Sequence, residues 1–526
     1  MIRVRQIKVL YNENNIDNIR KKVSKKLNIK EEIIKNIKIN KESIDARKKP
    51  IIYYIYEVDV EVLNEELILR KNKSNDILKI DEKEYKIKVT GTEKLERRPI
   101  IVGSGPAGLF AAYYLSILGY KPLIIERGEK IEDRVKSVEE FWNKGILNKN
   151  SNVQFGEGGA GTFSDGKLNT LVKDKEGRCK EVFKIFVENG ADSNILYKNK
   201  PHIGTDVLRN VIINMRNKII KMGGTFRFNT TLTNIKVEDE KLKSIIVNDN
   251  EEIKTDILIL AIGHSARDTF HMLYENNILM NPKPFAIGVR ITHPQDMINK
   301  SQYGSVLIDA ASYKLTYKSS NNRGVYSFCM CPGGYIVNAS SEEKRLAING
   351  MSNHSRDTKC ANSAIVVTIT PEDFGKSPMD GIEFQRNLEE KAYKLGSGFI
   401  PVQLFKDYKE NKISTKFNFE PCIKGNYKFA NLNLIFPEYI NESLKEAIDY
   451  FNTKIDGFNR DDAVLAAIES RTSSPIRIER DEFFNSNVKG IYPIGEGAGY
   501  AGGITTSAID GLKVVEIIAT KYKSCD

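Results

Sequence analysis

Between Pro99 and Arg127 the chain passes through an apolar strand, the turn Gly103-Ser104-Gly105-Pro106-Ala107-Gly108, an apolar helix ending at Gly119 and a second strand closing on Glu126. Strand, glycine turn, helix and strand in so short a space make a parallel βαβ unit, and parallel strands need burial on both faces. All-helical and purely antiparallel folds are thereby excluded. The glycine spacing adds a function. Gly103 lets the strand turn sharply, Gly105 lets a diphosphate approach the backbone, and Gly108 lets the helix pack closely on the strand. Pro106 and Ala107 open the helix, whose positive N-terminal end suits that diphosphate. Glu126 lies 18 residues beyond Gly108, placed to accept hydrogen bonds from an adenosine ribose, with Arg127 beside it.

A second segment near the C-terminus repeats the logic. Gly490 to Gly503 reads as a strand, a glycine turn bearing an acid (Gly495-Glu496-Gly497) and a helix start at Gly502-Gly503-Ile504, with the helix running to about Tyr522. A third, Asp256 to Gly263, is an apolar strand ending in a small-residue turn. Together these resemble FAD-dependent oxidoreductases of the glutathione-reductase structural class. In that class the acid after the last strand binds the ribityl chain and the following helix faces the flavin. Glu496 matches that acid, where many members carry Asp, and Ile262 stands in a central motif that usually carries Thr. Val153 to Asn169, Gly263 to Asp268, Met330 to Gly334 and Gly350 to Arg356 resemble a narrower group labelled uncharacterised FAD-dependent dehydrogenases. The resemblance implies an α/β, Rossmann-like FAD/NAD(P)-binding fold of the three-layer ββα type. It also implies non-covalent FAD and oxidoreductase activity, but it supplies no substrate.

Residues 1–90 are expected to form a small α+β domain, ferredoxin-like in pattern: a strand over Ile2 to Leu10, helical segments across Ile16 to Asn36, and a β-rich run from Ile51 to Leu69. A charged linker, 91–98, precedes the nucleotide domain, which occupies 99–284 with an insertion at 128–232 and resumes at 456–526. A β-rich cap or substrate domain fills 285–455, and a helix over Asp461 to Glu469 is expected to lead back. Residues 1–50 hold 15 Lys and Arg against six Asp and Glu, so nine of the net eleven positive charges lie there. With no aromatic residue between Arg20 and Pro50 to stack on bases, a solvated face is the favoured reading over an RNA-binding surface. RNA association and a purely structural FAD are the alternatives to an oxidoreductase. No run of about 18 uncharged apolar residues is present, so no membrane span is expected. The six cysteines, 179, 329, 331, 360, 422 and 525, form no CxxC pair, and a reducing cytoplasm is the expected home.

Gly156-Glu157-Gly158-Gly159-Ala160-Gly161 satisfies the dinucleotide pattern by letter, yet Thr162-Phe-Ser164-Asp-Gly-Lys167 follows instead of an apolar helix. It is read as a glycine loop whose amides face the FAD, with Thr162, Ser164 and Lys167 as flavin contacts; Lys167 is also readable as a surface lysine after a turn. Only one complete nucleotide fold is visible, so NAD(P)H, if used, is a transient co-substrate at the flavin face. Among catalytic candidates, His264 is read as a hydrogen-bonding prop rather than a proton donor. Cys331, in a tight Cys-Pro-Gly-Gly turn, is a thiol donor or a small buried residue. His354 and Arg356, with Asn353, form a polar cluster, and Arg356 and Arg290 suit either a carboxylate anchor or a structural ion pair. Arg267 and Asp268 are expected to pair with each other. The five histidines form no HxH or HxxxH pair, so no metal site is expected.

Overall fold

The computed structural model describes residues 1–524 apart from 82–83, 171, 173 and 307; Cys525 lies outside them. The parallel sheet that the glycine turns demand has five strands in the order Ile491–Pro493, Leu258–Leu260, Ile100–Val102, Leu123–Ile125, Thr225–Arg227. Alternate side chains divide it between two layers. Ile101, Ile124 and Ile259 face a helical layer that includes Pro106–Ile117 and Ile504–Lys521, whereas Ile100, Val102, Leu258 and Leu260 face a three-stranded antiparallel sheet, Leu232–Glu238, Lys241–Val247 and Glu251–Lys254. This is the three-layer ββα arrangement, and the period-2 alternation of short apolar strands is what sorts it.

The seven-stranded cap sheet runs in the order Thr316–Lys318, Gly324–Cys331, Cys360–Ile369, Phe285–Pro294, Val464–Glu469, Ile400–Leu404, Tyr427–Phe429. Its fifth strand corrects an expectation. Asp461 to Glu469 reads as a helix because it is rich in Ala, but Val464–Glu469 is fully buried and pairs with Phe285–Pro294 and Ile400–Leu404. A short apolar run has no periodicity that separates buried strand from buried helix. The cap sheet therefore takes in residues beyond 455, where the sequence places the domain's end.

The N-terminal sheet orders Ile34–Lys48, Ile51–Val62, Ile2–Leu10 and Ile77–Lys79, all antiparallel, with helices Ile16–Leu27 and Glu65–Lys71. That is the split βαβ order of a ferredoxin-like sandwich. Of the helical segments expected across Ile16 to Asn36, the first ends at Leu27, where Asn28 turns left-handed (φ 53°) and the amides of Asn28 and Ile29 return to Lys25 and Ser24. A second is the 3-10 turn Glu31–Ile33, and from Ile34 the range is strand instead of helix. Likewise the run expected to be β-rich up to Leu69 turns helical after Asn64.

Candidate functional site

A cavity of about 410 Å³ opens between the carboxyl ends of the parallel strands and the cap sheet, the position where open α/β sheets bind ligands. Two helices point their N-termini into it: Pro106–Ile117 begins at Gly105 and Ile504–Lys521 at Gly503, neither with a side-chain cap. Their first-turn amides are the kind of orphan donors that bind phosphate. A side chain on Gly263, Gly502 or Gly503 would meet nothing within 4 Å, and one on Gly105 only Gly159 at 3.8 Å. These glycines keep space open toward the cavity. Gly103 and Gly108 do something else: Gly103 turns at φ +100°, and a Cβ on Gly108 would lie 1.9 Å from the Gly103 carbonyl oxygen. Helix and strand touch there, as the motif requires.

Glu126 lines the cavity but is already engaged. Its carboxylate accepts from the Ser104 amide (2.9 Å) and hydroxyl (2.7 Å), and from the amides of Gly128 (3.0 Å) and Gly156 (3.1 Å). Those fill its acceptor sites, so a ribose hydroxyl reaching it has to replace one of them. The glycine loop is gripped from behind by Arg134, fully buried, which donates to the carbonyls of Asn152, Val153, Gly156, Glu157 and Gly159. Burial pushes its guanidinium down to about 9. Nothing in the sequence around Arg134 announces this, because all five acceptors come from a loop about 20 residues away. Within the loop, Gly156, Gly159 and Gly161 face the cavity. Gly158 does not; its Cβ would collide with Thr162 Oγ1 at 2.2 Å. Thr162, expected at the flavin, is fully buried and bonds the Glu157 carbonyl (3.3 Å) as a loop brace.

Arg127 lines the cavity and pairs with Asp268 (2.8 Å) over the ring of Phe155. The expected Arg267–Asp268 pair is therefore not formed. Adjacent helical residues point apart, and Arg267 instead turns inward to Glu389 and Glu342, with Arg471 on the same Glu389. His264 donates from Nδ1 to Glu496 Oε1 (2.8 Å), while its Nε2 is buried without a partner. A carboxylate only accepts, so in the neutral ring Nε2 is left as an acceptor at the cavity wall. Gly495 lies behind, its amide on Asp510 and its Cβ position against Ala107, while Glu496 and Ile504 face the cavity.

The opposite wall comes from the cap and the glycine-loop region: Lys167, Phe328, Cys329, Asn349, Glu469 and Thr472. Lys167 is held by Asp165 (3.2 Å) and the Met330 carbonyl. Arg290 is fully buried on Glu469 (3.0 Å), so it is a structural pair and not a substrate anchor. Arg356 likewise spends its guanidinium on Asp165 (2.9 Å). His354 bonds the Ile203 carbonyl (2.9 Å) and stacks on His202, away from the cavity wall. The predicted polar cluster of Asn353, His354 and Arg356 thus fastens loops together behind the site. Cys331 is completely buried, and its neighbour Cys329 is the thiol on the wall. Interaction with the Cys331 side chain, with Lys167 and Arg290 nearby, holds the Cys329 thiol below the usual thiol range. Among the described residues no group of side chains has a metal-binding arrangement, and no helix is long and apolar enough to cross a membrane.

Three family models match the chain: an FAD-dependent protein, C-terminal domain-like, over residues 284–472; an NAD(P)-binding Rossmann-like domain over 101–156; and a domain of unknown function over 1–61. A protein of Clostridium beijerinckii, described as uncharacterized, is 49% identical over 520 residues, covering 97% of each chain. The chain belongs to the FAD-dependent oxidoreductase family. Solved structures similar to this family member include the glycine oxidase of Bacillus cereus, with a TM-score of 0.36 and 10% identity, covering 81% of this chain and 96% of that one. The glycerol-3-phosphate dehydrogenase of Bacillus halodurans, complexed with FAD, gives 0.35 and 11%, over 82% and 65%.

Proposed function

We propose that this FAD-dependent oxidoreductase passes a hydride between FAD and a small organic substrate, or NAD(P)H, bound in the same cavity. One observation carries the reading. Two uncapped helix N-termini and several side-chain-free glycines converge on a single cavity that a separate sheet closes from the far side. The residues fit FAD: Gly103 to Ala107 and the first amides of the Pro106–Ile117 helix would hold its diphosphate, and Gly502, Gly503 and Ile504 would face its ring system. The orphaned Nε2 of His264 is an acceptor for a hydroxyl of such a ligand. When bound, FAD supplies the two-electron chemistry.

The chain's own residues do the rest. Lys167, kept in place by Asp165, brings a cation to the wall where negative charge develops on reduction. The Glu496 carboxylate fixes the Nδ1 proton of His264 and so orients Nε2. Phe328, with the main chain of the cap strand, excludes water from that side.

Purified protein is expected to show flavin absorbance near roughly 450 nm and to release FAD on denaturation. Anaerobic addition of NADH or NADPH then separates a nicotinamide-driven reductase, whose flavin bleaches, from an enzyme reduced only by its own organic substrate. A chain that neither carries nor takes up FAD would overturn the reading.

A further inference from the structure

The cap wall of the cavity carries a pair of thiols that hydride transfer leaves unused. Strand Gly324–Cys331 pairs with Cys360–Ile369 in register until Phe328 faces Ala364; Cys331 then faces Asn362, so one residue is extra. The extra residue makes a bulge, a device that re-aims side chains beside sites. Cys329 sits in it with φ 42°, a left-handed conformation that a residue with a side chain adopts only when its surroundings impose it. The result is that Cys329 reaches the cavity while Cys331 lies fully buried behind it. The Cys331 thiol donates to the Cys329 carbonyl oxygen at 3.3 Å, which holds its sulfur against the neighbouring cysteine.

The surroundings leave room for the Cys331 side chain and set two cations, each paired with a carboxylate, beside the cysteines. A Cβ on Gly350 would lie 2.8 Å from Cys331 Sγ, and one on Gly334 would lie 3.0 Å from Cys331 Cβ. Lys167 holds the Met330 carbonyl, and Arg290 donates to the Cys329 carbonyl at 3.1 Å with its Nη1 4.0 Å from Cys331 Sγ. Cations next to a thiol favour the thiolate, the form that reacts. A purely structural cysteine needs neither the strained backbone nor the cavity position.

We propose that Cys329 and Cys331 are a redox-active dithiol that closes to a disulfide in exchange with the flavin of this cavity. The proposal rests on the flavin reading above. Closure breaks two S–H bonds and forms one S–S bond; the oxidised flavin takes up the two electrons and the two protons released and becomes fully reduced. The reverse step opens the disulfide at the flavin's expense.

The test is an anaerobic dithionite titration of the oxidised, FAD-loaded full-length protein, counting electrons taken up per flavin. Four per flavin are expected for the unaltered chain and two for Cys329→Ser and for Cys331→Ser, because each disulfide stores two electrons. Cys360 and Cys422, whose sulfurs are 2.8 Å apart elsewhere in the cap, are the control: Cys360→Ser should keep four. As a second readout that needs no variant, the peptide from Gly324 to Lys344 should take no alkylating reagent before reduction and two equivalents after it. Two electrons per flavin in the unaltered chain, alkylation of that peptide before reduction, or four electrons retained in Cys329→Ser would each overturn the dithiol and leave FAD binding standing. A chain without FAD overturns both.

Discussion

At the scale of single residues, glycines of one motif divide into those that serve the fold and those that serve the ligand. Gly108→Ala places a methyl 1.9 Å from a backbone oxygen, and neither helix nor strand can yield; the expected outcome is a chain that fails to accumulate as folded protein. Gly503→Val projects into open space, so circular dichroism and the apoprotein melting temperature should match the unaltered chain. FAD affinity should fall at least about tenfold, or about 1.4 kcal/mol, in a fluorescence titration. These roles were legible in the sequence because a missing Cβ is a property of the residue itself. Arg134, Glu126 and Cys329 were not legible in the same way. What Arg134 does is set by five carbonyls of a distant loop, Glu126 by donors from three segments, and Cys329 by a one-residue bulge that exchanges its exposure with that of Cys331.

At the scale of elements, the strands with strict apolar alternation and the two helices opening on glycine were readable, whereas Val464–Glu469 was not. Its six residues are buried on both faces between two partners, which erases the pattern that marks a strand. The neighbouring strand Phe285–Pro294 shows how such burial is tied down. His293, completely buried, bonds the Phe458 carbonyl through Nε2 (2.7 Å) and packs at a tilt against the Phe458 ring, joining this strand to the loop before Val464. Burial pushes its imidazole down from 6.5 to about 4. A base whose folded value is depressed contributes stability that is present above pH 6.5 and is lost as pH falls toward 4, because the unfolded chain takes up the proton first. Urea unfolding should therefore show this group costing on the order of 2 kcal/mol between pH 7 and 4.5. His293→Gln, less stable at pH 7, should show a flatter dependence over that interval. His202, also pushed down to about 4 by burial, contributes with the same sign and remains in the variant.

At the scale of the whole molecule, the N-terminal sandwich has its own core, with Val4, Val23, Val58 and Val60 at its centre, and supplies no residue to the cavity wall. It meets the rest partly through backbone bonds of Glu42 with Tyr197 and Asn199. A chain lacking residues 1–80 is expected to bind FAD within twofold of the full chain, measured by the same titration. The nucleotide domain has the opposite character. Its strand Leu258–Leu260 lies between Ile100–Val102 and Ile491–Pro493, and the helix Ile504–Lys521 packs on the helix Pro106–Ile117. During synthesis the glycine turn at Gly103 leaves the ribosome well before the sheet edge Ile491–Pro493 and the second helix N-terminus at Gly503 that complete the cavity. A chain interrupted anywhere before Gly503 therefore has half a binding site, so retention of the ligand reports that two segments about 400 residues apart in sequence have met.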